Sequence, residues 1–135
     1  RDNFPAVLPA VARADFDSVV RNELCAKTSI RSLPSDRIAY IDSFGNMKLT
    51  LKKSDPQFAT LKEGQQVRIK INQIPRVATV TLGSFEINEG ELALAPGSSG
   101  YDDCFVELFL RGGSAKRHFE DSPKVEQSFE ILHKD

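Results

Sequence analysis

Four glycine-bearing turns carry the polar side chains that can approach a ligand closely: DSFGN (42–46), GSF (83–85), PGSSG (96–100) and RGG (111–113). The Asn46 amide offers both a donor and an acceptor, which matches the N6/N7 edge of adenine. Phe44 and Phe85 present flat faces on which a base can stack, an interaction of ~1–3 kcal/mol per base. Backbone groups around Arg111 and Gly112 can read the opposite edge of the base. Asp42 can hold an ammonium, and Ser98 and Ser99 a carboxylate. Plainer roles compete with each assignment. Phe44 and Phe85 can plug the two ends of a barrel, Asn46 can be a turn residue after Gly45, and Ser98-Ser99-Gly100 can be an ordinary loop.

Catalytic chemistry is thinly provided. No serine lies in a GxSxG elbow. His118 follows a Lys-Arg pair and reads as a surface residue; His133 is near the C-terminus and reads as frayed. Asp102 and Asp103 are adjacent in a polar loop, with nothing nearby to desolvate them and split their acidities. Cys25 and Cys104 read as reduced, buried thiols, and neither has a histidine at ligand spacing. No catalytic residue and no metal ligand is therefore assigned.

The chain has 135 residues, a net charge of −1 and 27% charged residues of both signs. An oligonucleotide-binding barrel needs a basic stripe, and no such stripe is present. No apolar run approaches the ~20 residues that span a bilayer, and no basic-then-apolar leader is visible. A cytoplasmic protein with neither nucleic-acid nor membrane partners is expected. The chain opens Arg1-Asp2-Asn3 and its only methionine is Met47, so further chain upstream is expected.

The elements that must position the turns are mostly strands. Residues 3–14 read as a short helix with Phe4, Val7, Leu8 and Val11 on one face, and Pro9 threatens to break or kink it. SLPSD (32–36) reads as a linker. Beyond it, RIAYID (37–42) alternates, with Ile38 and Tyr40 on one face and Ala39 and Ile41 on the other. Met47, Leu49 and Leu51 point inward against Lys48, Thr50 and Lys52; Val67, Ile69 and Ile71 share a face against Arg68 and Lys70. RVATVTL (76–82), ELALA (91–95), CFVELFL (104–110) and KVEQSFEIL (124–132) complete about seven strands. The fold class is mainly β: a compact antiparallel β-barrel (36–135) behind a short N-terminal helical arm and linker (1–35).

Three blocks in order, IDSFGN, then SF…GELALAPGSSGY, then VELFLRGGSA, preceded by RDNFPAVLPAVA, carry a resemblance over nearly the whole chain. They resemble the C-terminal domain of the S-adenosylmethionine hydroxide adenosyltransferases, relatives of the fluorinating and chlorinating enzymes. The resemblance implies a two-domain subunit with an α/β N-terminal domain, and a trimer. S-adenosylmethionine, a substrate rather than a cofactor, would lie between one subunit's N-terminal domain and a neighbour's barrel. Hydroxide delivered to the ribose C5′ would give adenosine and L-methionine. By resemblance, Asp42 meets the methionine ammonium and Phe44 lines the pocket. Asn46 bonds the adenine edge and Phe85 stacks on the ring. Ser98 and Ser99 hold the methionine end, and the backbone at Arg111 and Gly112 completes adenine recognition. The hydroxide-activating Asp, Arg and His would belong to the N-terminal domain, so this chain alone is expected to be catalytically silent. Two features depart from the family pattern: FGN runs into MKLTL rather than a Thr-Asn pair, and the SSGYDDCFVEL loop is longer. Ser99 stands where the halogenating relatives have Arg, which favours hydroxide. The alternative is a β-barrel interaction module with no small-molecule ligand, whose FGN and SSG turns would be filled and apolar.

Overall fold

The computed structural model of the protein describes residues 4–15, 17, 33–82 and 87–133. Two units emerge, Arg1–Ser32 and Leu33–Asp135. In the first, α1 (Phe4–Ala12) runs through Pro9 rather than breaking there. It ends with the Asp15 N–H on the Ala10 carbonyl and the Ala14 N–H on the Val11 carbonyl. Ala14 takes a left-handed φ of 55°. This is the hydrogen-bond pattern that satisfies carbonyls left over at a helix end. Of the expected apolar face, Leu8 and Val11 are exposed.

The second unit is mainly β, as expected, and forms a curled seven-stranded sheet. Its strands are β1 (Ile38–Ile41), β2 (Met47–Lys52), β3 (Gln66–Ile71), β4 (Ile74–Val80), β5 (Leu92–Pro96), β6 (Phe105–Leu110) and β7 (Phe129–His133). Their spatial order is β1-β2-β6-β5-β4-β3-β7. The first and last strands of that order approach each other through an Arg37–Ser128 bridge. The Ile38 N–H also donates to the Gln127 carbonyl at 2.9 Å, and the Phe129 N–H to the Asp36 carbonyl at 3.0 Å. The curl is thus tied at this corner. Every strand pair is antiparallel except β4 with β5, which is parallel. A parallel neighbour cannot be reached by a tight hairpin, so the chain between Val80 and Leu92 must cross over.

Inward positions mostly follow the period of two, but Thr50, expected outward, is buried at 7% exposure with its Oγ1 bonded to the Arg37 backbone. Met47, Leu49 and Leu51 of β2 and Val67, Ile69 and Ile71 of β3 are buried, with Leu94, Val106 and Leu108 between them. β1 departs from simple alternation. Ile38 is opposite Leu49 and Tyr40 opposite Lys48, so an extra residue is inserted there. This bulge turns Tyr40 outward and lets Ile41 pack on the core beside Ile38. The expectation that Ile38 and Tyr40 share a face is corrected accordingly. β3 and β4 are joined at Asn72-Gln73, with φ of 51° and 65°, and Ile71 pairs with Ile74. Positive φ at both central residues is the two-residue hairpin whose twist suits the strands. It starts β4 two residues earlier than expected.

Two short helices seal the core. α2 (Pro56–Ala59) is capped by Asp55, whose carboxylate accepts from the Gln57 N–H at 3.1 Å, and it drives Phe58 inward. α3 (Ala115–His118) buries Ala115 and hands on to Phe119, which is 1% exposed. Among the described residues, Phe58, Phe119 and Phe129 are the buried phenylalanines. Phe44, at 77% exposure, plugs nothing. His118 is exposed, as expected, whereas His133 ends β7 with its backbone opposite Val67. Cys104 is free and only partly buried; Cys25 lies outside the described residues.

Candidate functional site

The turn after β1 is built around one carboxylate. Asp42 Oδ1 accepts from the backbone N–H groups of Phe44 and Asn46, both at 2.9 Å, and Oδ2 accepts from Asn46 Nδ2 at 2.9 Å. Burial works to raise the Asp42 pKa, but the donors on Asn46, Phe44 and Gly45 outweigh it and hold the carboxyl below its ordinary 3.8. Asp42 is thus an anion fixed by the turn it shapes. Asn46 spends one Nδ2 hydrogen on this bond. The other hydrogen and Oδ1 have no partner among the described residues, so its amide keeps a donor and an acceptor.

Gly45 is required twice over. Its φ is +86°, and an added Cβ would lie 2.0 Å from Ser114 Oγ and 3.0 Å from Ser114 Cβ. Its carbonyl accepts from the Lys116 N–H at 2.9 Å. The DSFGN turn is therefore clasped against the start of α3, where Ser114 also caps the helix through Arg117 N. Arg76 of β4 holds the far end of α3. Its Nε donates to the His118 carbonyl at 3.0 Å, its NH2 reaches Glu120 Oε1 at 3.0 Å, and its guanidinium lies over the Phe119 ring at 6.0 Å.

Between turn and helix lies an open cleft of about 450 Å³ lined by Asp42, Ser43, Phe44 and Gly45 on one side. Ser114, Lys116, Arg117 and Ser122 line the other side, and Ile41 lies beneath. That volume falls in the range of small-molecule sites, ~300–1,000 Å³. The rim is polar and carries two cations against one carboxylate. Ser114, Lys116, Arg117 and Ser122 were not singled out from the sequence. A serine ahead of Ala-Lys-Arg-His is a usable helix-cap signal that the sequence reading passed over as a turn, and nothing local says which turn it faces.

The other expected site residues are dispersed. Ser98 is exposed on its loop. Ser99 is drawn to β2, where its Oγ accepts from Lys48 Nζ. Both backbone groups of Arg111 are spent within the fold, its N–H on the Glu91 carbonyl at 3.0 Å and its carbonyl on the Gly90 N–H at 2.8 Å. The Arg111 guanidinium donates to the Ile87 carbonyl. Gly112, at φ +73°, faces Glu89, whose Cγ an added Cβ would approach to 2.7 Å. Arg111 and Gly112 thus hold residues 87–91 in place. Phe85 lies outside the described residues.

Asp103 is a structural acid rather than half of a catalytic pair. It accepts from Ser54 N at 3.0 Å and Ser54 Oγ at 2.9 Å, with Lys52 3.5 Å away. The Ser54 backbone donor is the main reason its pKa falls below the ordinary value. Among the described residues, no group of three or more His, Cys, Asp or Glu side chains is placed to hold a metal ion. Among the described residues, no helix is long and apolar enough to cross a membrane.

Comparison with known proteins adds two findings. A family model described as SAM hydroxide adenosyltransferase C-terminal domain matches residues 36–125. The fold is similar to a crystal structure of an uncharacterized conserved protein from Thermotoga maritima, with a TM-score of 0.64 at 21% identity. The match covers 84% of this chain and 42% of that one, so this chain spans less than half the length of that protein. No curated protein matches the chain.

Proposed function

Because this chain belongs to the SAM hydroxide adenosyltransferase C-terminal domain family, we propose that it supplies the adenosine-binding wall of an S-adenosylmethionine-dependent enzyme. The reaction proposed for the whole enzyme is addition of hydroxide to the ribose C5′, releasing adenosine and L-methionine. A separate N-terminal domain supplies the groups that activate hydroxide. The ligand sits between that domain and a barrel of a neighbouring subunit in a homotrimer.

The observation that carries this reading is the clasp of DSFGN on Ser114. It holds the turn rigid, leaves Asn46 with an unspent donor and acceptor, and keeps Phe44 exposed beside an open cleft. A rigid turn with a free amide edge and an aromatic face suits a purine, because base recognition needs in-plane hydrogen bonds and a stacking surface together. The cleft also favours this reading over the ligand-free interaction module, which calls for a filled apolar turn.

Amide chemical shifts of the chain, followed during addition of adenosine, test the proposal. Half of a composite site binds weakly, on the order of mM, because its other wall is missing. The expected result is a saturating shift centred on residues 42–46 and 114–117, absent in Asn46→Ala. Shifts that do not saturate, or that survive Asn46→Ala unchanged, would overturn it.

A further inference from the structure

The cleft between the DSFGN turn and α3 carries more positive charge than its surroundings consume. Neither the Lys116 ammonium nor the Arg117 guanidinium has an ion-pair or hydrogen-bond partner among the described residues, whereas Arg37 and Arg76 are paired with Asp36 and Glu120. Asp42, the carboxylate on the cleft wall, is already occupied. It accepts three hydrogen bonds inside its own turn, and its charge is balanced there. Ser43 and Ser122 add two hydroxyls with no partner among the described residues. The cleft therefore gathers donors that lack an acceptor.

The backbone fixes where these donors start. The Lys116 N–H bonds the Gly45 carbonyl at 2.9 Å, and Lys116 Cβ stands 3.4 Å from the position a Gly45 Cβ would take. The Arg117 N–H donates to Ser114 Oγ at 3.3 Å. Arg76 grips the far end of α3 through the His118 carbonyl and Glu120. Ser122 takes a left-handed φ of 39°, with its N–H on the Phe119 carbonyl at 3.2 Å. A serine held in that conformation costs stability that a glycine would not. Backbone strain of this kind concentrates at ligand clamps.

Two cations, two hydroxyls and the exposed Phe44 ring on one cleft suit a nucleotide: a face for the base and donors for a phosphate. S-adenosylmethionine does not use them well, because its sulfonium is itself a cation and is repelled by two more. Resting on the proposed function for the base, we infer that the cleft takes a second class of ligand, an adenosine 5′-phosphate. Lys116, Arg117 and the Ser122 hydroxyl hold the phosphate. Arg117 supplies a planar fork that matches two phosphate oxygens, and Lys116 supplies a point charge. Such a nucleotide occupies the adenosine-binding wall in place of S-adenosylmethionine and competes with it.

The test compares adenosine, adenosine 5′-monophosphate and inorganic phosphate on the same chain, again by amide chemical shifts. At low salt the monophosphate should bind about tenfold tighter than adenosine, the scale of one charge-assisted hydrogen bond. Added salt should remove that preference and leave adenosine unchanged. Lys116→Gln and Arg117→Gln should each reduce the preference, and Lys124→Gln, off the cleft, should not. Ser122→Gly should raise the melting temperature and yet weaken the monophosphate, a combination that a purely structural serine would not give. If adenosine and the monophosphate bind equally, or the preference survives both charge variants, the inference is overturned and the adenosine reading stands. If inorganic phosphate binds as tightly as the monophosphate while adenosine does not bind, the cleft holds a bare anion and both readings fall. If none of the three binds, both fall.

Discussion

Substituting Gly45 by alanine tests the clasp on which the site depends. The methyl group meets two obstacles in the structure: a backbone at φ +86° and the Ser114 side chain at 2.0 Å from Oγ and 3.0 Å from Cβ. The left-handed conformation costs an L-residue about 1–2 kcal/mol. Forcing a methyl into a filled contact typically costs a further ~1–3 kcal/mol. Gly45→Ala should therefore destabilise the barrel by roughly 2–5 kcal/mol. The steric part can be isolated, because Ser114→Gly removes both clashing atoms and costs a helix cap only a few tenths of a kcal/mol. In that background Gly45→Ala should cost only its conformational share, about 1–2 kcal/mol. Urea denaturation of the four proteins reads both values, since midpoint shifts scale with stability at constant slope. A coupling near zero, with Gly45→Ala equally costly in both backgrounds, would refute the claim that DSFGN and Ser114 are locked together.

Three further outcomes follow from the geometry. The Asp42 pKa is lowered in the folded state, so its stabilisation is present above the unfolded value near 3.8 and is lost as pH falls through the folded value. Urea midpoints measured from pH 5 to pH 2 should fall less steeply in Asp42→Asn than in the parent; parallel curves would show that Asp42 contributes nothing. Gln73→Gly should stabilise by about 1 kcal/mol, because φ of 65° suits glycine in this hairpin; a lower melting temperature would refute the assigned turn. Arg76→Met should cost about 1 kcal/mol or less in thermal unfolding, since Glu120 is 79% exposed. It should also broaden the amide signals of residues 114–118, and unchanged signals there would show that α3 is held by its cap alone.

Much of the barrel was legible from residue order. The alternation of Met47, Leu49 and Leu51, and of Val67, Ile69 and Ile71, names the buried face because a strand's side chains repeat every two residues. Gly45 marked a turn that does take positive φ. The β1 bulge escaped notice because RIAYID alternates in composition, and the inserted residue shows only in the pairing with β2. The Asn72-Gln73 hairpin was missed because Gln is an unusual occupant of a left-handed position.

The sequence by itself determined the β class, the DSFGN turn and the residue types able to meet a base and a zwitterion. Tertiary structure alone decided which of them meet. A period-two pattern names a face of a strand but not its neighbour or register. Only the sheet order places β2 beside β6, and hence Lys48 beside Glu107. Only the curl brings Ser114 within contact of Gly45. Contacts between residues distant in the chain depend on loop closure and on packing of the whole barrel, and no local pattern encodes either.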